Sequence, residues 1–178
     1  MRLFVILLVI ALLDAVGISI SYTSGKHMAD HTMTLSAQQF RDDFFSEELR
    51  RNEYLSSTCR QAMQNVEKEV LYFPIPESDV DKSLKVSFAD TWHMERNYGG
   101  KRVHEGTDIM AAENKRGLYP VVSVSDGTVK NKGWLERGDW RIGITSNSGT
   151  YYYYAHLDSY SNLKIGDHVR AGELLGYM

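Results

Sequence analysis

Trp140-Arg141-Ile142-Gly143-Ile144-Thr145 and Thr150-Tyr151-Tyr152-Tyr153-Tyr154-Ala155 are two runs of aromatic and β-branched residues separated by Asn147-Ser148-Gly149, and their reading decides the fold. Each run has strand length and strand-forming side chains, and the residues between them have turn chemistry. The same texture extends outward. Upstream, Val121 to Val124 and Thr128 to Lys130 flank Asp126-Gly127, and downstream Leu174 to Tyr177 follows a turn at Gly166-Asp167. Short strands broken by turns at this spacing predict an all-β domain, a sandwich or barrel, starting near Leu84.

Composition narrows the class. The chain has 178 residues, room for one domain plus an appendage. Hydrophobic residues make up 43% and prolines number 3, which excludes a disordered or low-complexity chain. Lys and Arg total 20 against 23 Asp and Glu, too balanced for affinity built on neutralising phosphates, so no nucleic-acid partner is expected. The single cysteine, Cys59, excludes an internal disulfide framework and a Cys-x-x-Cys metal site, and a buried thiol is expected there. Any metal must be held by His and carboxylates.

The N-terminal part has a different character. Leu3 to Leu13 is unbroken apolar sequence, followed by Asp14 and then Ala15 to Ile20. Residues 1–20 read as a signal peptide with Ala15-Val16-Gly17 at the cleavage position, and equally as an uncleaved membrane helix. Either reading places the rest outside the cytoplasm. Residues 21–34 read as a linker, in which His27 and His31 have helical spacing without an accompanying carboxylate. Residues 35–72 have helical periodicity. Ser36-Ala37-Gln38-Gln39 makes a capping-box start, Phe40, Phe44, Phe45 and Leu49 form one stripe, and Tyr54, Leu55, Ala62, Met63, Val66 and Val70 a second. A helical stalk or hairpin is expected, with packing surface for a protein partner. Residues 73–83 form a linker in which Pro74 and Pro76 forbid further helix, and residues 84–178 form the β-domain.

Two words carry candidate chemistry. The first is His104-Glu105-Gly106-Thr107-Asp108, an imidazole and a carboxylate four residues apart. Donors to one zinc lie ~2.0 to 2.2 Å from it. A straight strand would separate their Cα atoms by ~13 Å, so the chain must bend between them, and Gly106 permits a bend. A surface turn with a strand-ending Asp satisfies the same spacing. The second word is Tyr151 to Asp158, whose alternation puts Tyr152, Tyr154 and His156 on one face. A strand-end histidine beside tyrosines suits acid–base work, and a core-edge histidine on a backbone carbonyl suits the pattern as well.

The combination resembles the M23 family of zinc metallopeptidases, the lysostaphin and LytM-like peptidoglycan endopeptidases. The matching words are Tyr98 to Ile109, Pro120 to Val129, Tyr154-Ala155-His156-Leu157 and Gly166 to Tyr177, in that order. The resemblance implies that His104 and Asp108 are zinc ligands, that His156 is a catalytic histidine, and that the substrate is a peptidoglycan peptide met by an exported, wall-facing protein. It also implies a third ligand from a His-x-His pair beyond the Gly176-Tyr177 strand. The sequence reaches Met178 without that pair, so a longer gene product is expected. His168 sits in a turn word and is expected to face solvent. Leu174 to Tyr177, lacking a closing neighbour, is expected at an unpaired edge.

Smaller expectations concern Asp90, Trp92, Arg96 and Tyr98, which could line the groove beside the metal word but are read first as an aromatic-rich strand leading to it, and Glu136-Arg137-Gly138-Asp139 between Trp134 and Trp140, a polar loop bordering a groove or capping the sheet. Two rival classes stand beside the peptidase. One is a non-catalytic envelope module that uses the same β fold for binding or scaffolding. The other is a biotinyl or lipoyl-type carrier domain, suggested by Gly166 to Gly172 and opposed by the lack of a following carrier lysine.

Overall fold

The computed structural model describes residues 57–98 and 100–178, together with the backbone of two strands, Phe4–Ile10 and His31–Thr32. The middle of the domain is an antiparallel meander: β8 (Gly127–Leu135), β9 (Asp139–Ser146) and β10 (Tyr151–Leu157). The turn between β9 and β10 closes with Ser146 N donating to Thr150 O at 2.8 Å, and Gly149 takes φ +92°, the left-handed conformation that glycine adopts without cost. The five strands expected from the sequence are present, with β8 reaching further than expected, to Leu135.

Among the described residues the large sheet has eight strands. It adds β12 (His168–Val169) beside β8, and on the other side of β10 come β1 (Phe4–Ile10), β6 (Thr107–Ala111), β3 (Val86–Phe88) and β2 (His31–Thr32). A three-stranded sheet orders β11 (Ser159–Tyr160), β13 (Leu174–Tyr177) and β7 (Pro120–Val122), and β4 (Glu95–Arg96) pairs with β5 (Arg102–Val103). The edge expected at Leu174 to Tyr177 is not there. Strand β13 is paired on both sides, and Met178 N donates to Tyr119 O while Met178 itself is fully buried.

Phe4–Ile10 is extended where a signal or membrane helix was expected. It lies antiparallel to both β10 and β6. An interior strand covered on both faces tolerates an unbroken apolar run, so this composition suits a sheet centre as well as a membrane. Residues 1–3, 11–30 and 33–56 lie outside the described residues, and with them most of the expected signal or anchor, the linker histidine His27 and the first part of the stalk. Among the described residues no helix is long and apolar enough to cross a membrane.

Among the described residues one helix, α1 (Ser57–Glu69), carries Ala62, Met63 and Val66 of the second stripe. Its buried face presents Cys59 and Val66, and Val66 and Val70 join the core formed by Ile109, Val121, Ile142, Ile144, Tyr152, Tyr154 and Leu175. That core therefore takes side chains from α1 and from both larger sheets. Glu69 fastens the helix end to the β9–β10 turn by accepting from Ser148 N at 3.1 Å. Tyr154 is fully buried, and its hydroxyl accepts from Val124 N at 2.9 Å, so the polar tip of the core tyrosine also ties down the chain after β7.

Candidate active site

The chain leaves β5 at Val103, bends at Gly106 and enters β6 at Thr107, which brings the side chains of His104 and Asp108 together. His104 Nε2 and Asp108 Oδ1 lie 3.4 Å apart. Both atoms are buried without a hydrogen-bond partner. Two ligands ~2.0 to 2.2 Å from one tetrahedral zinc stand ~3.3 to 3.6 Å from each other, so this orphaned pair fits two positions of such a centre. Among the described residues no cluster of three or more His, Cys, Asp or Glu side chains forms a metal cage.

The far side of each ligand is held. His104 Nδ1 has Thr91 O at 3.1 Å, Thr91 Oγ1 at 3.0 Å and Arg96 Nη2 at 2.9 Å. Thr91 Oγ1 also accepts from Asp108 N at 3.1 Å, so one threonine steadies both words of the bend. Arg96 Nη2 ion-pairs with Asp108 Oδ2, leaving Oδ1 as the oxygen turned toward the imidazole. Burial holds the His104 imidazole below the usual histidine range; the Asp108 charge opposes this, and Arg96 and Arg102 add to it. A neutral imidazole is the form that ligates metal.

His156 is placed by a bulge. Pairing between β10 and β9 shifts by one residue between Tyr154 and Leu157, so Leu157 takes the buried place that strict alternation assigns to His156. Tyr152 and Tyr154 face the core as expected, whereas His156 is only half-buried. His156 has φ +59° and Asp139 φ +49°, and their side chains meet, Nδ1 to Oδ2, at 2.9 Å. Two side-chain-bearing residues in left-handed conformation, bonded to each other, store backbone strain of the kind that clusters at functional sites. Asp139 was missed as a functional residue. Its only sequence signal is a place in the polar loop between the two tryptophans, and the contact with His156 depends on a bulge that no local pattern announces.

The ladder sets the spacing between the two parts. Asp108 pairs with Ile6, and Ile6 with Ala155, the neighbour of His156. Two strand spacings separate Asp108 from Ala155, ~10 Å between backbones. A cavity of about 530 Å³ lies beside His104, lined also by Arg102, Arg137, Gly138, Arg141 and Tyr153 among others. His168 is exposed, 3.2 Å from Thr128 Oγ1, and stays outside the site as expected. Arg96, read from sequence as part of a strand leading to the metal word, is instead in direct contact with both expected ligands.

Fold and site define a class: a mostly β domain presenting a His–Asp donor pair and a carboxylate-steadied histidine on neighbouring parts of one sheet. Residues 102–178 match Peptidase family M23, and this part of the chain resembles that family. It is 45% identical over 91 residues to an L-Ala--D-Glu endopeptidase of Bacillus subtilis, covering 51% of this chain and 27% of that protein. It is 38% identical over 60 residues to lysostaphin of Staphylococcus simulans, covering 33% of this chain and 12% of that one. A crystal structure of a lytM protein from Ruminococcus gnavus superposes with a TM-score of 0.59 at 53% identity, covering 74% of this chain and 54% of that one. The chain thus spans about a quarter or less of the length of these two curated relatives.

Proposed function

We propose that this chain is a zinc-dependent metalloendopeptidase that hydrolyses peptide bonds in peptidoglycan, working outside the cytoplasm against the cell wall. The observation that carries this reading is the buried His104 Nε2 and Asp108 Oδ1 pair, 3.4 Å apart and without protein partners. The names of the M23 relatives, an L-Ala--D-Glu endopeptidase and lysostaphin among them, support the substrate class.

His104 and Asp108 would hold the zinc. When bound, zinc supplies Lewis acidity at the scissile carbonyl and at the attacking water. The protein's own contribution is to keep His104 neutral and to point Oδ1 of Asp108 the same way as Nε2. His156 handles the proton. With Nδ1–H donated to Asp139, the exchangeable position of the ring is Nε2, which can take a proton from water and return one to the leaving amine.

The test is incubation of the metal-loaded full chain with purified peptidoglycan, reading new amino termini by mass spectrometry. Cleavage that chelator abolishes and zinc restores is expected. The second reading, a non-catalytic envelope-binding module, draws on the absence of a three-residue metal cage among the described residues. Binding to peptidoglycan without any cleavage by the zinc-loaded chain would establish it instead.

A further inference from the structure

Positive charge gathers at the cavity beside His104. Arg141, on β9, has both Nε and Nη1 buried without a hydrogen-bond partner. A guanidinium cannot neutralise itself by losing a proton, so two buried N–H positions without a partner leave it short of hydrogen bonds. Arg102 and Arg137 line the same cavity, bringing three guanidinium groups to it against one carboxylate among the described lining residues, that of the exposed Glu105. The nearby Asp139 is engaged with His156 at 2.9 Å. Tyr151 and Tyr153, on the strand beside β9, also line the cavity, with Asn131 Nδ2 donating to Tyr151 Oη at 3.0 Å. His104 is part of the lining, so whatever anion pairs with Arg141 sits within one peptide's reach of the candidate ligands.

We propose that Arg141 reads a free carboxylate on the substrate peptide, close to the bond that is cut, so that this site selects acidic peptides over their amidated counterparts. The inference rests on the peptidase reading for the identity of the ligand as a peptide. Nε and Nη1 lie on different edges of the guanidinium, so the carboxylate would be met by the terminal Nη1/Nη2 fork, whose donors match its two oxygens. An amide in the same place presents one oxygen and an NH₂ group that faces the donors unfavourably. The carboxylate has two sources in such a peptide, an internal D-Glu or the chain terminus, and both offer the same chemistry.

The experiment measures equilibrium binding to the full chain by calorimetry, separately from turnover. Three synthetic peptides containing L-Ala–D-Glu are compared: one with all carboxylates free, one with the D-Glu carboxylate amidated and one with only the C-terminus amidated. One of the two amidations is expected to weaken binding by about tenfold or more, as loss of a charge-assisted pair implies, and the one that does identifies the source. In Arg141→Gln that penalty should shrink to less than about twofold, while Arg141→Lys, which keeps the charge and loses the fork, falls between. Thermal melts of both variants check folding. Equal affinity for all three peptides, a penalty that persists in Arg141→Gln, or no binding of any peptide overturns the proposal. Hydrolysis of the same peptides separates the two readings. Binding that prefers the carboxylate without cleavage removes the peptidase and keeps the subsite, whereas cleavage of all three at equal rates with equal affinity does the reverse.

Discussion

His104 Nε2 and Asp108 Oδ1 face each other at 3.4 Å, buried and unpartnered, while the opposite atom of each ring and carboxylate is engaged by Thr91 or Arg96. Nature seldom leaves two buried polar atoms of a steadied pair aimed at the same point without something to bind there. His104→Ala or Asp108→Asn should therefore remove bound zinc from protein reconstituted with the metal and then dialysed, as read by elemental analysis. Asp108→Asn keeps the shape and removes the charge, so it is the cleaner change. Undiminished zinc content in both variants would sink the assignment of these ligands.

Arg96 makes the neighbouring prediction. Guanidinium nitrogens only donate and a carbonyl oxygen only accepts, yet Arg96 Nη2 and Thr91 O both lie within hydrogen-bond distance of His104 Nδ1. Nδ1 can satisfy only one of them at a time. Accepting from Arg96 requires the ring proton on Nε2, whereas a metal held by Nε2 would require it on Nδ1, donated to Thr91 O. Nitrogen-15 chemical shifts of His104 should report this exchange on zinc addition. In Arg96→Gln the proton should already be on Nδ1 before zinc is added, and a ring that stays protonated on Nε2 in that variant contradicts the account.

How much of this could be read from residues alone depended on how local the cause was. The strands of the meander were legible because β-branched and aromatic runs between turn residues are a local signal, and Gly106 announced the bend that joins His104 to Asp108. Phe4–Ile10 was not legible. An apolar run suits a membrane and an interior strand alike, and the pairing of this strand with β6 and β10 is set by residues distant in sequence. The role of Arg96 and of Asp139 was hidden for the same reason, since each acts on a side chain that the tertiary fold brings to it.

Asp139 gives a prediction about rate. By accepting from Nδ1 of His156 at 2.9 Å it fixes which ring nitrogen is exposed to chemistry. Asp139→Asn can present its NH₂ group to Nδ1 and so favour the other tautomer, at nearly unchanged volume. In a peptidase assay kcat should fall by roughly 10² to 10⁴, the range of lost general acid–base catalysis, with KM and zinc content little changed. A variant whose loss lies in KM or in metal content would show that Asp139 shapes the groove and does not position the histidine.

Tyr154 links the core to alkaline stability. Burial pushes its hydroxyl, and that of Tyr152, well above the ordinary value of 10.0; for Tyr152 the Glu69 carboxylate adds to the effect. The folded chain therefore keeps protons that the unfolded chain releases above pH 10.0, so the folded state loses stability as pH rises from there toward the folded-state values. Each such group steepens the fall by up to about 1.4 kcal/mol per pH unit. Tyr154→Phe removes one of them and also strands Val124 N, whose acceptor is the Tyr154 hydroxyl at 2.9 Å. At neutral pH the variant should be less stable by about 1 to 3 kcal/mol, the cost of an unsatisfied buried donor. Above pH 10 its stability should fall less steeply than that of the parent chain, so denaturant midpoints of the two should converge between pH 10 and about 12. Midpoints that stay parallel across that range would show that the Tyr154 hydroxyl is not held protonated by the core.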